Sequence, residues 1–109
     1  MHEEQETIKK LVVKYIKMHR GKGSQYVIVK ITGGLINIYI KGILSNIEVI
    51  LLKEDNIKQI EIIWGIIKYP IFKQFLNELQ EVMCKKYNFI SEESNFKDDY
   101  RIIILKRTN

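Results

Sequence analysis

The run His19-Arg20-Gly21-Lys22-Gly23-Ser24-Gln25-Tyr26-Val27 comes nearest to a phosphate-binding site in residue type and spacing. Two glycines around a lysine would let backbone N–H groups close on an anion. Loops of that kind lie between a strand and a helix, so that the positive end of the helix dipole faces the anion. In this chain the helical pattern precedes the run and the strand pattern follows it. The negative end of the dipole therefore faces the loop, and the glycine spacing fits neither phosphate fingerprint. The run reads instead as a helix stop, with Gly21 as a left-handed C-cap and Gly23 in a joint entering a strand. Arg20 and Lys22 remain candidate partner-contacting residues, because loop charges are free to reach outward.

The other chemically capable residues are scattered. His2 and His19 are the only histidines. His2 lies at the chain end, and His19 falls in the last turn of a helix, where a partly charged imidazole suits the dipole. Cys84 is the single cysteine and follows Met83 on a helix, with no histidine near it to act as a base. It reads as a half-buried structural thiol. One cysteine and two distant histidines make neither a disulfide nor a metal cage. The acid pairs Glu92-Glu93 and Asp98-Asp99 flank a turn, where adjacent carboxylates are ordinarily solvated. No catalytic set, cofactor site or metal site is expected, and the chain does not read as an enzyme.

The elements that would position these residues follow from periodicity. Residues 3–20 show helical spacing, with Ile8, Leu11, Val12, Tyr15, Ile16 and Met18 or His19 on one face. Tyr26 to Thr32 and Leu35 to Lys41 are β-branched and aromatic around Gly33-Gly34, a two-residue hairpin turn. Setting Thr32 opposite Leu35 pairs Ile31 with Ile36, Val29 with Ile38 and Val27 with Ile40 on one apolar face. Gly42 ends the hairpin, and Ser45-x-x-Glu48 is a capping box that opens a helix. Asp55 or Asn56 interrupts it. A longer helical pattern follows through Ile57, Ile60, Trp64, Ile67, Ile71, Phe75, Leu79 and Val82 or Met83, with Pro70 expected to kink or break it near Tyr69. Residues 88–94 and 100–107 read as a second hairpin, its first strand a polar sheet edge.

The expected order is α-β-β-α-(α)-β-β. It makes one α+β domain over residues 1–109, a two-layer sandwich with a four-stranded, largely antiparallel sheet and helices on one face. Residues 1–4 and 107–109 are expected to be loose ends. The chain has 109 residues, 46% hydrophobic and 28% charged, the balance of a folded protein rather than a disordered one. The acidic start lacks the pattern of a signal peptide, and no apolar run approaches the ~20 residues that cross a bilayer. A cytoplasmic protein is expected, reaching a membrane only through a partner. The net charge of +5 permits an anionic partner without requiring one.

The second sheet face is the stronger candidate for function. Tyr26, Lys30, Asn37, Tyr39 and Lys41 lie there together, with Arg101 of the last hairpin as a candidate addition. Aromatics among bases on an open sheet can stack and hold single-stranded nucleic acid. Ile28, Leu35, Ile103 and Leu105 are candidates for the same face, and that much exposed apolar surface favours a homodimer instead.

The helix, Gly21-Lys22-Gly23, the hairpin ending in Gly42-Ile43-Leu44-Ser45-Asn46-Ile47-Glu48, and the long helical stretch interrupted by Pro70 together resemble the MpsC-like family of small bacterial proteins. The resemblance runs from about Ile8 to Lys106. Ser24 stands where the family pattern has proline, and Ser45-Asn46 where it favours threonine-proline. Gly21, Lys22, Gly23, Gly42, Leu44, Glu48 and Pro70 match, and each has a structural reading. The resemblance implies an accessory role beside a membrane-potential-generating, sodium- or bicarbonate-linked transport system, and attaches no catalytic motif. A non-enzymatic accessory or regulatory protein acting through protein contacts is the leading expectation. A nucleic-acid-binding regulator is the alternative.

Overall fold

The computed structural model describes residues 2–108. Helix α1 spans His2–Arg20, strands β1 and β2 span Tyr26–Thr32 and Leu35–Lys41, helices α2 and α3 span Asn46–Lys53 and Ile57–Met83, and strands β3 and β4 span Lys86–Asn95 and Tyr100–Thr108. The four strands form one antiparallel sheet in the order β1-β2-β4-β3. This is the expected α+β fold, with β1 and the polar β3 at the edges.

Local chemistry sets the boundaries. Gly21 closes α1 at φ +81 with its N–H on the Lys17 carbonyl. Gly33 and Gly34 carry positive φ through the tight turn, and the first hairpin has the expected register, Thr32 opposite Leu35. Ser45 and Glu48 form the reciprocal capping box of α2. Gly42 is required more strictly: at φ +90, a Cβ there would lie 2.8 Å from the Gln25 backbone nitrogen. Helix α3 runs unbroken through Pro70, so the break allowed for near Tyr69 is not formed.

The core lies between the sheet and the helices. Its cross-strand rows are Val29–Ile38–Ile103 and Ile31–Ile36–Leu105, covered by Ile8, Leu11, Val12 and Tyr15 of α1 and by Phe72, Phe75 and Leu79 of α3. Ile8, Ile36, Ile38, Ile60, Leu79 and Leu105 are fully buried, each contributing about 2 kcal/mol of burial. The buried face of α1 ends at Ile16, and Met18 and His19 are exposed.

Two expectations are corrected here. Ile103 and Leu105 do not share the open sheet face, and neither does Arg101. β4 is an inner strand whose odd-numbered residues continue the Val29–Ile38 and Ile31–Ile36 rows beneath the helices. Tyr100, Ile102, Ile104 and Lys106 take the open face instead. The described ends are also not loose. Glu4 is only 4% exposed and sits against Tyr87 of β3 and Arg107 of β4, so α1 is fastened at its first turn. Met1 and Asn109 lie outside the described residues.

Candidate functional site

The loop after α1 is tied inward. Arg20 donates from Nε to the Leu44 carbonyl at 2.6 Å and from Nη1 to the Gly23 carbonyl, while Lys22 Nζ reaches Asn46 Oδ1 at 2.6 Å. These bonds hold the α1–β1 joint against the start of α2. Pairing to neutral carbonyl and amide oxygens leaves the net positive charge of both side chains at the surface. At the two ends of the loop the N–H groups of Gly21 and Gln25 are taken by the Lys17 and Lys41 carbonyls, in keeping with a helix stop and a strand entry.

The open sheet face brings Tyr26, Lys30, Asn37, Tyr39 and Lys41 together as expected, because all five fall on one parity of β1 and β2. Tyr100 of β4 joins them. The three rings of Tyr26, Tyr39 and Tyr100 stack in a row, with centroids 5.9 and 5.7 Å apart and planes within 25°. Burial, and then the Tyr26 hydroxyl, raise the Tyr39 phenol above its usual range. Tyr39 is flanked by a stacked ring on either side, which leaves less of its own ring free to stack on a base. Lys41 donates to the Asp98 carbonyl, and Lys30 is exposed.

The helix-covered face holds a polar cluster that periodicity did not reveal. The Arg101 guanidinium lies 3.4 Å from the Trp64 ring centroid. Its Nε donates to Ser94 Oγ at 2.7 Å and stands 3.5 Å from Glu92 Oε2. Glu92 also accepts from Trp64 Nε1 at 3.1 Å, and Lys68 lies 3.9 Å from its other oxygen. A β-bulge at Ile90 shifts the alternation of β3 and turns Glu92 and Ser94 onto this side. Burial pulls the Arg101 pKa down to about 10, against the opposing pull of Glu92, Glu48 and Asp99. Above the cluster a cleft of about 100 Å³ opens between α1 and α3.

The acid pairs are therefore not simply solvated. Glu92 is buried in this cluster, and Asp99 Oδ1 accepts from the Ile43 and Leu44 N–H groups at 2.7 and 2.9 Å, holding the crossing from β2 to α2. Cys84 is exposed rather than half-buried, and ends α3 in a left-handed conformation at φ +52.

The largest apolar exposure lies on neither sheet face. Ile47 and Ile50 of α2 and Ile62, Ile63, Ile66 and Ile67 of α3 are all exposed, Ile47 and Ile66 by 71% and 70%. Tyr69 and Pro70 extend this surface along α3. The i, i+3, i+4 reading captured the inner stripe through Ile60, Trp64 and Phe75, but Phe72 replaces Ile67 in the core. The signal for the outer face was present in the sequence: between Ile57 and Ile71 apolar residues occur on nearly every side of the helix, a pattern that belongs to helices buried all round. No helix among the described residues is long and apolar enough to cross a membrane.

No curated protein and no solved structure matches the chain. The family model described as "Na+-translocating membrane potential-generating system (MpsC)" matches residues 2–107, nearly the whole length, and so the chain belongs to the MpsC family.

Proposed function

We propose that this chain is a non-enzymatic, cytoplasmic accessory protein of the membrane-potential-generating system its family is named for, acting through protein contacts, and that its α2–α3 face binds a second copy of the chain. The carrying observation is the set of six exposed isoleucines on two adjacent helices. With Tyr69 their summed exposure is on the order of 700 Å², close to the ~800 Å² each partner gives to a standard interface. A two-fold axis lets one apolar face cover itself. Lys53, Glu54, Asp55, Lys58 and Glu61 around it carry both signs, so two identical faces can meet without a single-sign field opposing them. This moves the homodimer surface from the open sheet face to the helices. The free, exposed Cys84 suits a reducing compartment.

The test is sedimentation over about two decades of concentration, in which mass action separates dimer from monomer. The wild type is expected to sediment as a dimer and Ile66→Glu as a folded monomer. A wild type that remains monomeric at the highest concentration refutes the interface. An Ile66→Glu variant that still dimerises moves it elsewhere.

A further inference from the structure

The cleft between α1 and α3 has features that the fold alone does not explain. Its walls are apolar, formed by residues such as Ile16, Ile67 and Phe75, and Ile40 and Ile103 line it from the sheet. Arg101 also lines it. The guanidinium is fixed from behind by Trp64, Ser94 and Glu92, and all of its hydrogen bonding within the described residues is made through Nε. No fully buried side-chain nitrogen or oxygen is left without a partner, so the two Nη nitrogens keep a share of open space. They are a pre-oriented pair of donors, the arrangement that takes a carboxylate side-on. Arg20 and His19 also line the cleft, and Glu48 is the one carboxylate that does. One oxygen of Glu48 is occupied by the Ser45 N–H at 2.8 Å.

We propose that this cleft binds a small amphiphilic anion, a carboxylate on a compact apolar body, with the head group on the Nη nitrogens of Arg101 and the body between α1 and α3. An apolar cavity of ~150 Å³ accommodates benzene, so a space of about 100 Å³ that opens at its mouth suits a body of about four to six carbons. Glu92, the one carboxylate among the described residues within ion-pair distance of Arg101, is shared with Lys68, so the guanidinium gains from a further anion, and an apolar wall gains from a chain that displaces water. Every group named belongs to one chain, but Ile67 also lies on the face proposed to bind a second copy, so the titrations are run on the Ile66→Glu background as well as on the wild type.

Trp64 is the only tryptophan and touches Arg101, so its fluorescence reports directly on the site. Hexanoate is expected to change it saturably with a Kd on the order of 1 mM, as a ligand of that size allows. Hexanol, hexylamine and acetate each lack the charge, its sign or the body, and are expected to bind about tenfold more weakly or less. Arg101→Gln should abolish the preference for hexanoate over hexanol. Ile67→Phe, which fills the mouth and leaves the charged cluster intact, should block hexanoate and supplies the test if Arg101→Gln does not fold. Equal binding of hexanol and hexanoate, no saturable response to hexanoate, or undiminished binding to Ile67→Phe overturns the proposal.

Discussion

Replacing Glu4 by glutamine keeps the shape of the side chain and removes its charge at the point where three elements meet. In the wild type, Tyr87 Oη donates to Oε2 at 2.5 Å, Arg107 Nη1 donates to Oε1 at 2.5 Å, and Lys85 Nζ lies 3.7 Å from Oε2. The Tyr87 ring is buried at 3% exposure. Glutamine can accept at one position only, and its amide N–H₂ then faces a group that was a donor. Hydrogen bonds to a charged group contribute about 1.5–3 kcal/mol each. Losing most of one and weakening the other should cost about 2–4 kcal/mol, or roughly 10–20 °C in Tm for a chain of this size. Both denaturant and thermal unfolding can read a change that large.

The same substitution has a signature in acid. Burial raises the Glu4 carboxyl, but the bonds from Tyr87 and Arg107 and the charges of Arg107 and Lys85 outweigh it, so the native pKa lies below the ordinary 4.5. A carboxyl whose folded pKa is depressed contributes stability that is fully present above the unfolded pKa and is lost as pH falls through the folded value. The gap between wild type and Glu4→Gln should therefore be constant near neutrality and narrow below about pH 4.5. Urea unfolding of both proteins between pH 7 and about pH 3 measures it. A Glu4→Gln protein within about 0.5 kcal/mol of wild type at pH 7, or a gap that does not narrow in acid, would show that the cluster does not fasten α1 to the second hairpin.

Two glycines separate conformation from crowding. Gly21→Ala meets open space and incurs only the positive-φ penalty of about 1–2 kcal/mol, whereas Gly42→Ala adds a 2.8 Å approach to the Gln25 nitrogen and should cost at least about 1 kcal/mol more. Equal losses in denaturant titrations would contradict the close approach. The open sheet face gives a third outcome. Because the tyrosines stack on one another, binding of mixed RNA or DNA oligomers is expected to be undetectable by fluorescence anisotropy even at low salt. Binding that weakens steeply with salt and with Tyr39→Ala or Lys30→Ala would instead favour the nucleic-acid reading.

What could be read from the sequence was local. The turn at Gly33-Gly34, the cap at Gly21, the capping box at Ser45 and Glu48 and the first hairpin register each depend on a few neighbouring residues. The second hairpin was harder, because which parity of β4 faces the helices depends on its place between β2 and β3. Alternation alone sorts Arg101 with Ile103 and Leu105, correctly, yet cannot say which face that is. The bulge at Ile90 hid Glu92 in the same way, by changing the alternation partway along a polar strand. Glu4 escaped for a different reason. An acid in the first turn of a helix already has a sufficient local explanation in the dipole, which left its tertiary partners, more than 80 residues away, without a signal.

The two halves of α3 show why partner contact is the better functional reading. After Pro70, apolar side chains concentrate on one stripe, and Phe72, Phe75 and Leu79 bury it against the sheet. Before Pro70, isoleucines occur on nearly all sides while only Ile60 is buried. Isoleucine is a modest helix former, and a helical segment of a dozen residues is marginal in water without packing. α2, which packs beside it, is eight residues long with no buried residue, so it cannot supply a core of its own. Solvent exposure of so many β-branched residues confers no advantage on a lone helix, whereas a covering surface would provide both burial and helix stability. The part of the chain that the fold needs least is thus the part whose composition most requires another surface.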